Sequence, residues 1–141
     1  MSRGRILIVE DEYLVAADLE AALEERGYSS AGIAPDAESA LALAAQKPDL
    51  ALVDIHLRDG QTGPRIAERL AREHGVTVLF VTANPRMTLQ AGVPGIIGVL
   101  NKPCQEETIF AALEYALAPQ AGERLLAPPA GLTLLPVDDR A

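Results

Sequence analysis

Five short apolar runs, none of them alternating, constrain this chain more than any other feature. ILIV (6–9), LALV (50–53), VTVLFV (76–81) and IIGVL (96–100) are built from β-branched residues and leucine, with a weaker SAGIA at 30–34. Unbroken apolar runs of this length suit strands covered on both faces, as in a parallel sheet. Between them the spacing turns helical. Residues 12–26 place Val15, Leu19, Ala22 and Leu23 on one face, with Gly27 as the stop. Asp36 is positioned to cap 37–46, with Ala40, Leu43 and Ala44 inward, until Lys47-Pro48 ends the pattern. Pro64 stands where a helix begins, and Ile66 and Leu70 share its face to about Glu73. The last helix is expected over 105–117, anchored by Ile109, Leu113 and Leu117. Strand and helix alternate throughout, which predicts an α/β fold: a doubly wound, five-stranded parallel sheet, order 2-1-3-4-5, with helices on both faces.

A chain of 141 residues with 49% hydrophobic content reads as one domain with a real core, and excludes a largely disordered protein. The net charge of −8 argues against nucleic acid or an anionic membrane surface as partner. A single cysteine, Cys104, rules out an internal disulfide and suits a reducing compartment. The N-terminus shows no signal-peptide pattern, and the longest uncharged apolar run (76–83) falls far short of the roughly 20 residues that span a bilayer. A cytoplasmic location is expected. Four of the ten prolines fall within 118–141. The expected division is therefore a domain over 1–118 and a Pro/Leu-rich tail over 119–141, outside the fold or docked on it or on a partner.

In open α/β sheets, ligands bind beyond the carboxyl ends of the strands. The first run ends in Glu10-Asp11-Glu12, the third in Asp54, the fourth in Thr82 and the fifth in Lys102-Pro103. One edge thus receives an acidic cluster, a central carboxylate, a hydroxyl and a lysine. Clustered carboxylates either raise a pKa or hold a hard cation, and magnesium shares such oxygens with water and phosphate. A carboxylate beside a metal and a lysine is equipped to attack phosphorus and form an acyl phosphate.

"ILIVEDE", "LALVDIHL-DG--G", "VLFVTA" and "GVLNKP", in this order and spacing, resemble a response-regulator receiver domain over about residues 4–118. The resemblance implies the flavodoxin-like version of the fold, with Asp54 as phospho-acceptor. It implies that Asp11, Asp54 and the backbone carbonyl of His56 hold Mg2+, with Glu10 beside them as an outer-sphere ligand. Thr82 would hydrogen-bond the phosphoryl group, Lys102 would pair with it, and the bond before Pro103 would be cis. The donor would be a histidine kinase or histidine phosphotransfer protein. Such a chain is not an enzyme with an external substrate; it slowly hydrolyses its own acyl phosphate.

Two departures stand out. Most receivers carry Tyr or Phe three positions before the lysine, as a ring that swings on activation, and here that position is Val99. The segment 83–98 is short and rich in glycine and proline, which predicts a short or displaced fourth helix. These features resemble a subgroup of single-domain receivers in alphaproteobacteria, although "FVTANP" does not match that subgroup's glycine-rich motif. The chain is expected to lack an output domain and to act by protein contact through 84–117, with a homodimer as a further possibility. A phosphate sink in a phosphorelay, or a degenerate receiver serving only as an interaction module, are the alternatives. An electron carrier would need a phosphate-cradling loop where Glu10-Asp11-Glu12 stands. An aspartyl phosphatase would need an acid at His56.

Overall fold

The computed structural model describes residues 2–83, 93–118 and 128–135. Strands β1 (Arg5–Val9), β2 (Ser29–Ala34), β3 (Leu50–Asp54), β4 (Thr77–Thr82) and β5 (Ile96–Asn101) alternate with helices α1 (Tyr13–Glu25), α2 (Ala37–Leu43), α3 (Gly63–His74) and α4 (Glu106–Leu117). β1 to β5 pair in parallel in the order β2-β1-β3-β4-β5. The expectation of a short or displaced helix between β4 and β5 falls on 84–92, outside the described residues.

The period of two along each strand divides the apolar side chains between two cores. Leu7, Val9, Ala51, Val53, Val78, Phe80 and Val99 meet α2 and α3 on one face. Ile6, Ile8, Leu50, Leu52, Leu79 and Leu100 meet α1 and α4 on the other. This is why the runs lack alternation: both faces of the sheet are covered.

Two expectations change. The sheet has six strands, because residues 132–134 form β6, antiparallel to β5 at the edge. Part of the segment read as a tail therefore docks on its own domain. The reason is apolar: Leu132 joins the core under α1 and α4 while Leu135 packs on the opposite core. Burying one such leucine stabilises by roughly 2 kcal/mol. The second change concerns α1, where Val15 is 45% exposed and Ala16 takes the inward position beside Leu23. Tyr13 and Leu14 are also exposed, so the first turn of α1 presents an apolar surface rather than burying one.

Asp36 caps α2 as expected, accepting from the Ser39 amide at 2.9 Å. Asp59, beyond β3, accepts from the Ala37 amide at 3.1 Å and the Thr62 hydroxyl at 2.6 Å, tying the two loops together. Both carboxyls are held below the ordinary 3.8, Asp36 by its hydrogen bonds from Ser39 and Asp59 by those from Thr62 and Ala37. Their stabilisation is present above pH 3.8 and is lost as pH falls through the lowered native values, because only the folded state resists the proton. Thermal unfolding followed from about pH 5 to about pH 2 is expected to show a falling midpoint, with a smaller fall for Asp59→Asn.

Candidate functional site

The sheet register decides which polar residues meet. Val9 pairs with Val53, Asp54 with Val81 and Thr82 with Asn101, so four strands end at nearly one level. Glu10 leaves β1, Asp54 ends β3, Thr82 ends β4, and Lys102 follows β5 with its amide donating to the Thr82 carbonyl at 2.7 Å.

At their centre, the Lys102 Nζ donates to Asp54 Oδ2 and to Glu10 Oε1, each at 2.8 Å. The other Asp54 oxygen accepts from the His56 amide at 3.1 Å, and the other Glu10 oxygen from the Glu12 amide at 3.1 Å. Glu10 and Thr82 are the buried polar residues of the described structure, at 6% and 1% exposure. Burial pushes the Glu10 carboxyl above its ordinary 4.5, against the opposing hydrogen bonds from Lys102 and Glu12. Burial pulls the Lys102 ammonium down, but its hydrogen bonds to Asp54 and Glu10 outweigh that and hold it above 10.5.

Asp11 completes the acidic group. Glu10, Asp11 and Asp54 each offer a carboxylate oxygen, and these atoms lie within 4.8 Å of one another. Three carboxylates against one ammonium leave two negative charges uncompensated. That deficit and an all-oxygen donor set fit a hard divalent cation such as magnesium.

Local backbone geometry sets Asp54 in place. Gly63 opens α3 against the backbone of Asp54 and Ile55, its amide donating to the Ile55 carbonyl at 3.2 Å. A Cβ on Gly63 would lie 2.3 Å from the Asp54 carbonyl oxygen and 2.6 Å from the Ile55 Cα. Gly60, with φ +104°, closes the turn that returns to Leu57. The His56 side chain points outward to Gln61, with its Nε2 3.2 Å from Gln61 Nε2. The Lys102–Pro103 peptide is cis. Val99 lies in β5 opposite Thr133 of β6 and is 8% exposed.

Some of the site was not evident in the sequence. Glu10 is a second ion-pair partner of Lys102 beside Asp54, and no local pattern announces a pair 92 residues apart. A cavity of about 570 Å³ opens between α1 and α4, with Asp54, Lys102 and Cys104 in its wall beside Val15, Leu19 and Ile109. Burial raises the Cys104 thiol above its ordinary 9.0, which keeps it a neutral wall of that cavity.

Residues 6–114 match the family described as response regulator receiver domain. The phyllosphere-induced regulator PhyR of Methylorubrum extorquens is 36% identical over 121 residues, which is 84% of this chain and 45% of that protein. The transcriptional regulatory protein PdtaR of Mycobacterium tuberculosis is 34% identical over 119 residues, 81% of this chain and 57% of its own length. The chain thus spans about half the length of these curated relatives. Among solved structures, the receiver domain of Erythrobacter litoralis PhyR superposes with a TM-score of 0.69 at 30% identity, covering 86% of this chain and 98% of that one.

Proposed function

The chain belongs to the response regulator receiver domain family, and from that premise we propose that it is a phosphorylation-dependent switch in which Asp54 is the acceptor. The observation that carries this reading is the setting of the Asp54 carboxylate, held between the Lys102 ammonium and the His56 amide inside the acidic cluster. The donor is a phosphohistidine of a histidine kinase or a histidine phosphotransfer protein. An Asp54 oxygen bonds to phosphorus as the phosphorus–nitrogen bond breaks, its electron pair returning to the imidazole, which takes up a proton. Lys102 then transfers its ion pair to a phosphoryl oxygen, and the Thr82 hydroxyl donates to another. Asp11, Asp54 and the His56 carbonyl would hold Mg2+, with Glu10 as an outer-sphere ligand. When bound, the ion supplies positive charge against the phosphoryl oxygens. Water later cleaves the acyl phosphate and restores Asp54, with no external substrate turned over.

The exposed Tyr13, Leu14 and Val15, beside the cavity that Asp54 and Lys102 line, support docking of the donor on the first turn of α1. Residues 1–118 form the receiver, and 132–134 add an edge strand to its sheet. The output runs by protein contact through 84–117, in the cytoplasm. Among the described residues no helix is long and apolar enough to cross a membrane.

The test is intact mass after incubation with magnesium and a small-molecule phosphodonor. One phosphoryl group is expected on the wild type, dependent on magnesium and labile in base. Asp11→Asn is expected to need at least roughly 10-fold more magnesium, because even outer partners of metal ligands are worth that much. An unchanged magnesium requirement removes Asp11 from the ligand set. A folded, magnesium-binding wild type that takes up nothing leaves the interaction-module reading.

A further inference from the structure

The cavity between α1 and α4 is larger and more apolar than an approach to one carboxylate requires, at about 570 Å³. Its floor is the sheet, where Ile8, Leu52 and Val81 project from β1, β3 and β4 on the face shared with α1 and α4. Val15 and Leu19 of α1 and Ile109 of α4 form its sides, and Val15, 45% exposed, lines the space instead of filling it. None of these six side chains offers water a partner, so water there is poorly held and an apolar group displaces it favourably. The charge of the lining is one-sided. Glu12 before α1, Asp18 within it and Glu106 at the start of α4 line the cavity from exposed positions. With Glu10 and Asp54 at the acceptor end, five carboxylates face one ammonium among the described lining residues, and that ammonium, Lys102, is already bonded to two of them. The N-terminal ends of α1 and α4 add about half a positive charge each. Even with those ends and a divalent cation at the acidic cluster, the lining stays negative.

We propose that this cavity binds a small amphipathic cation, a compact apolar body carrying a protonated amine. Its volume lies within the roughly 300–1,000 Å³ of small-molecule sites, and its make-up, apolar walls with a few polar groups to one side, is theirs as well. The apolar body lies against Leu52, Leu19 and Ile109, and the ammonium reaches the carboxylates of Glu12, Asp18 and Glu106, where it keeps part of its water. An anion of the same shape is repelled by those carboxylates. A neutral molecule gains the burial but not the ion pairs. Binding of this kind needs no phosphoryl group on Asp54, and it stands or falls separately from phosphoryl transfer.

The test titrates the full-length chain with three probes that share an indole ring and differ in the charge at the end of the side chain: tryptamine, tryptophol and indole-3-propionate. Amide shifts in the NMR spectrum give both the site and the affinity. Tryptamine is expected to bind with a dissociation constant below about 1 mM, as suits a molecule of its size. It is expected to shift the amides of 15–19 and 104–109, which flank the cavity. Tryptophol is expected to bind about 5-fold more weakly, because the three ion pairs are exposed and each is worth little, and indole-3-propionate more weakly still. Glu12→Gln, Asp18→Asn and Glu106→Gln combined are expected to lower tryptamine to the affinity of tryptophol and to leave tryptophol unchanged, which a loss of folding would not do. Val15→Trp, which fills the cavity from an exposed position, is expected to abolish binding of all three. Absence of tryptamine binding at millimolar concentration overturns the proposal and leaves the cavity to a side chain of a docked protein. Equal or tighter binding of tryptophol or indole-3-propionate overturns the cationic class, and shifts that persist in Val15→Trp place the binding elsewhere and overturn the site.

Discussion

Asp54→Asn is expected to take up no phosphoryl group under conditions that load the wild type fully, and to remain folded. The amide is nearly isosteric and keeps one oxygen to accept from the His56 amide or the Lys102 ammonium. It also removes a negative charge facing the buried Glu10, whose carboxyl Asp54 pushes upward. What it lacks is an anionic oxygen able to bond to phosphorus, and the loss is therefore one of chemistry with little structural cost. Intact mass with and without base treatment checks the first part, and a thermal melt within a few degrees of the wild type checks the second. Uptake by the variant equal to wild type would move the acceptor elsewhere and remove the central claim about this site.

Gly63→Ala is expected to give the largest loss of stability from a single methyl group. Alanine normally favours a helix by about 1 kcal/mol over glycine, so a surface view predicts a gain. Here the new Cβ meets the Asp54 carbonyl oxygen at 2.3 Å and the Ile55 Cα at 2.6 Å, both backbone atoms that no rotamer change can move. Overpacking of this kind costs roughly 1–3 kcal/mol or more, which outweighs the propensity gain. The strain falls on the strand end that aims the acceptor, and phosphoryl uptake is expected to slow along with the fall in stability. Denaturant unfolding and the rate of uptake measure the two effects. A variant as stable as wild type, with unchanged uptake, would show that α3 can slide away from β3 without disturbing Asp54.

Much of the fold was legible because covering both faces of a sheet leaves a local mark. ILIV, LALV, VTVLFV and IIGVL became β1, β3, β4 and β5, and even the weak SAGIA became β2. Asp36, Pro64 and Gly27 sit at helix ends for reasons contained within one turn of chain: a cap, a preset φ and a left-handed stop. The first turn of α1 was read less well. Val15, Leu19 and Leu23 fit a helical period, yet Val15 is exposed and lines a cavity instead of joining the core. Periodicity says which residues share a stripe, not whether a neighbour reaches that stripe.

The sequence by itself determined the order of the elements, the parallel sheet from β1 to β5, and the delivery of Glu10, Asp11, Asp54, Thr82 and Lys102 to one edge. Each of these follows from short-range spacing and from the rule that strand ends collect at a common level. Tertiary structure alone decided that Lys102 bridges Glu10 and Asp54, residues 92 and 48 positions away. It also decided that Gly63 lies against the acceptor's own backbone, and that residues 132–134 close the sheet beside Gly98. Those outcomes depend on register and on which apolar and charged groups lose water together, and such long-range terms have no signature in any one window of sequence.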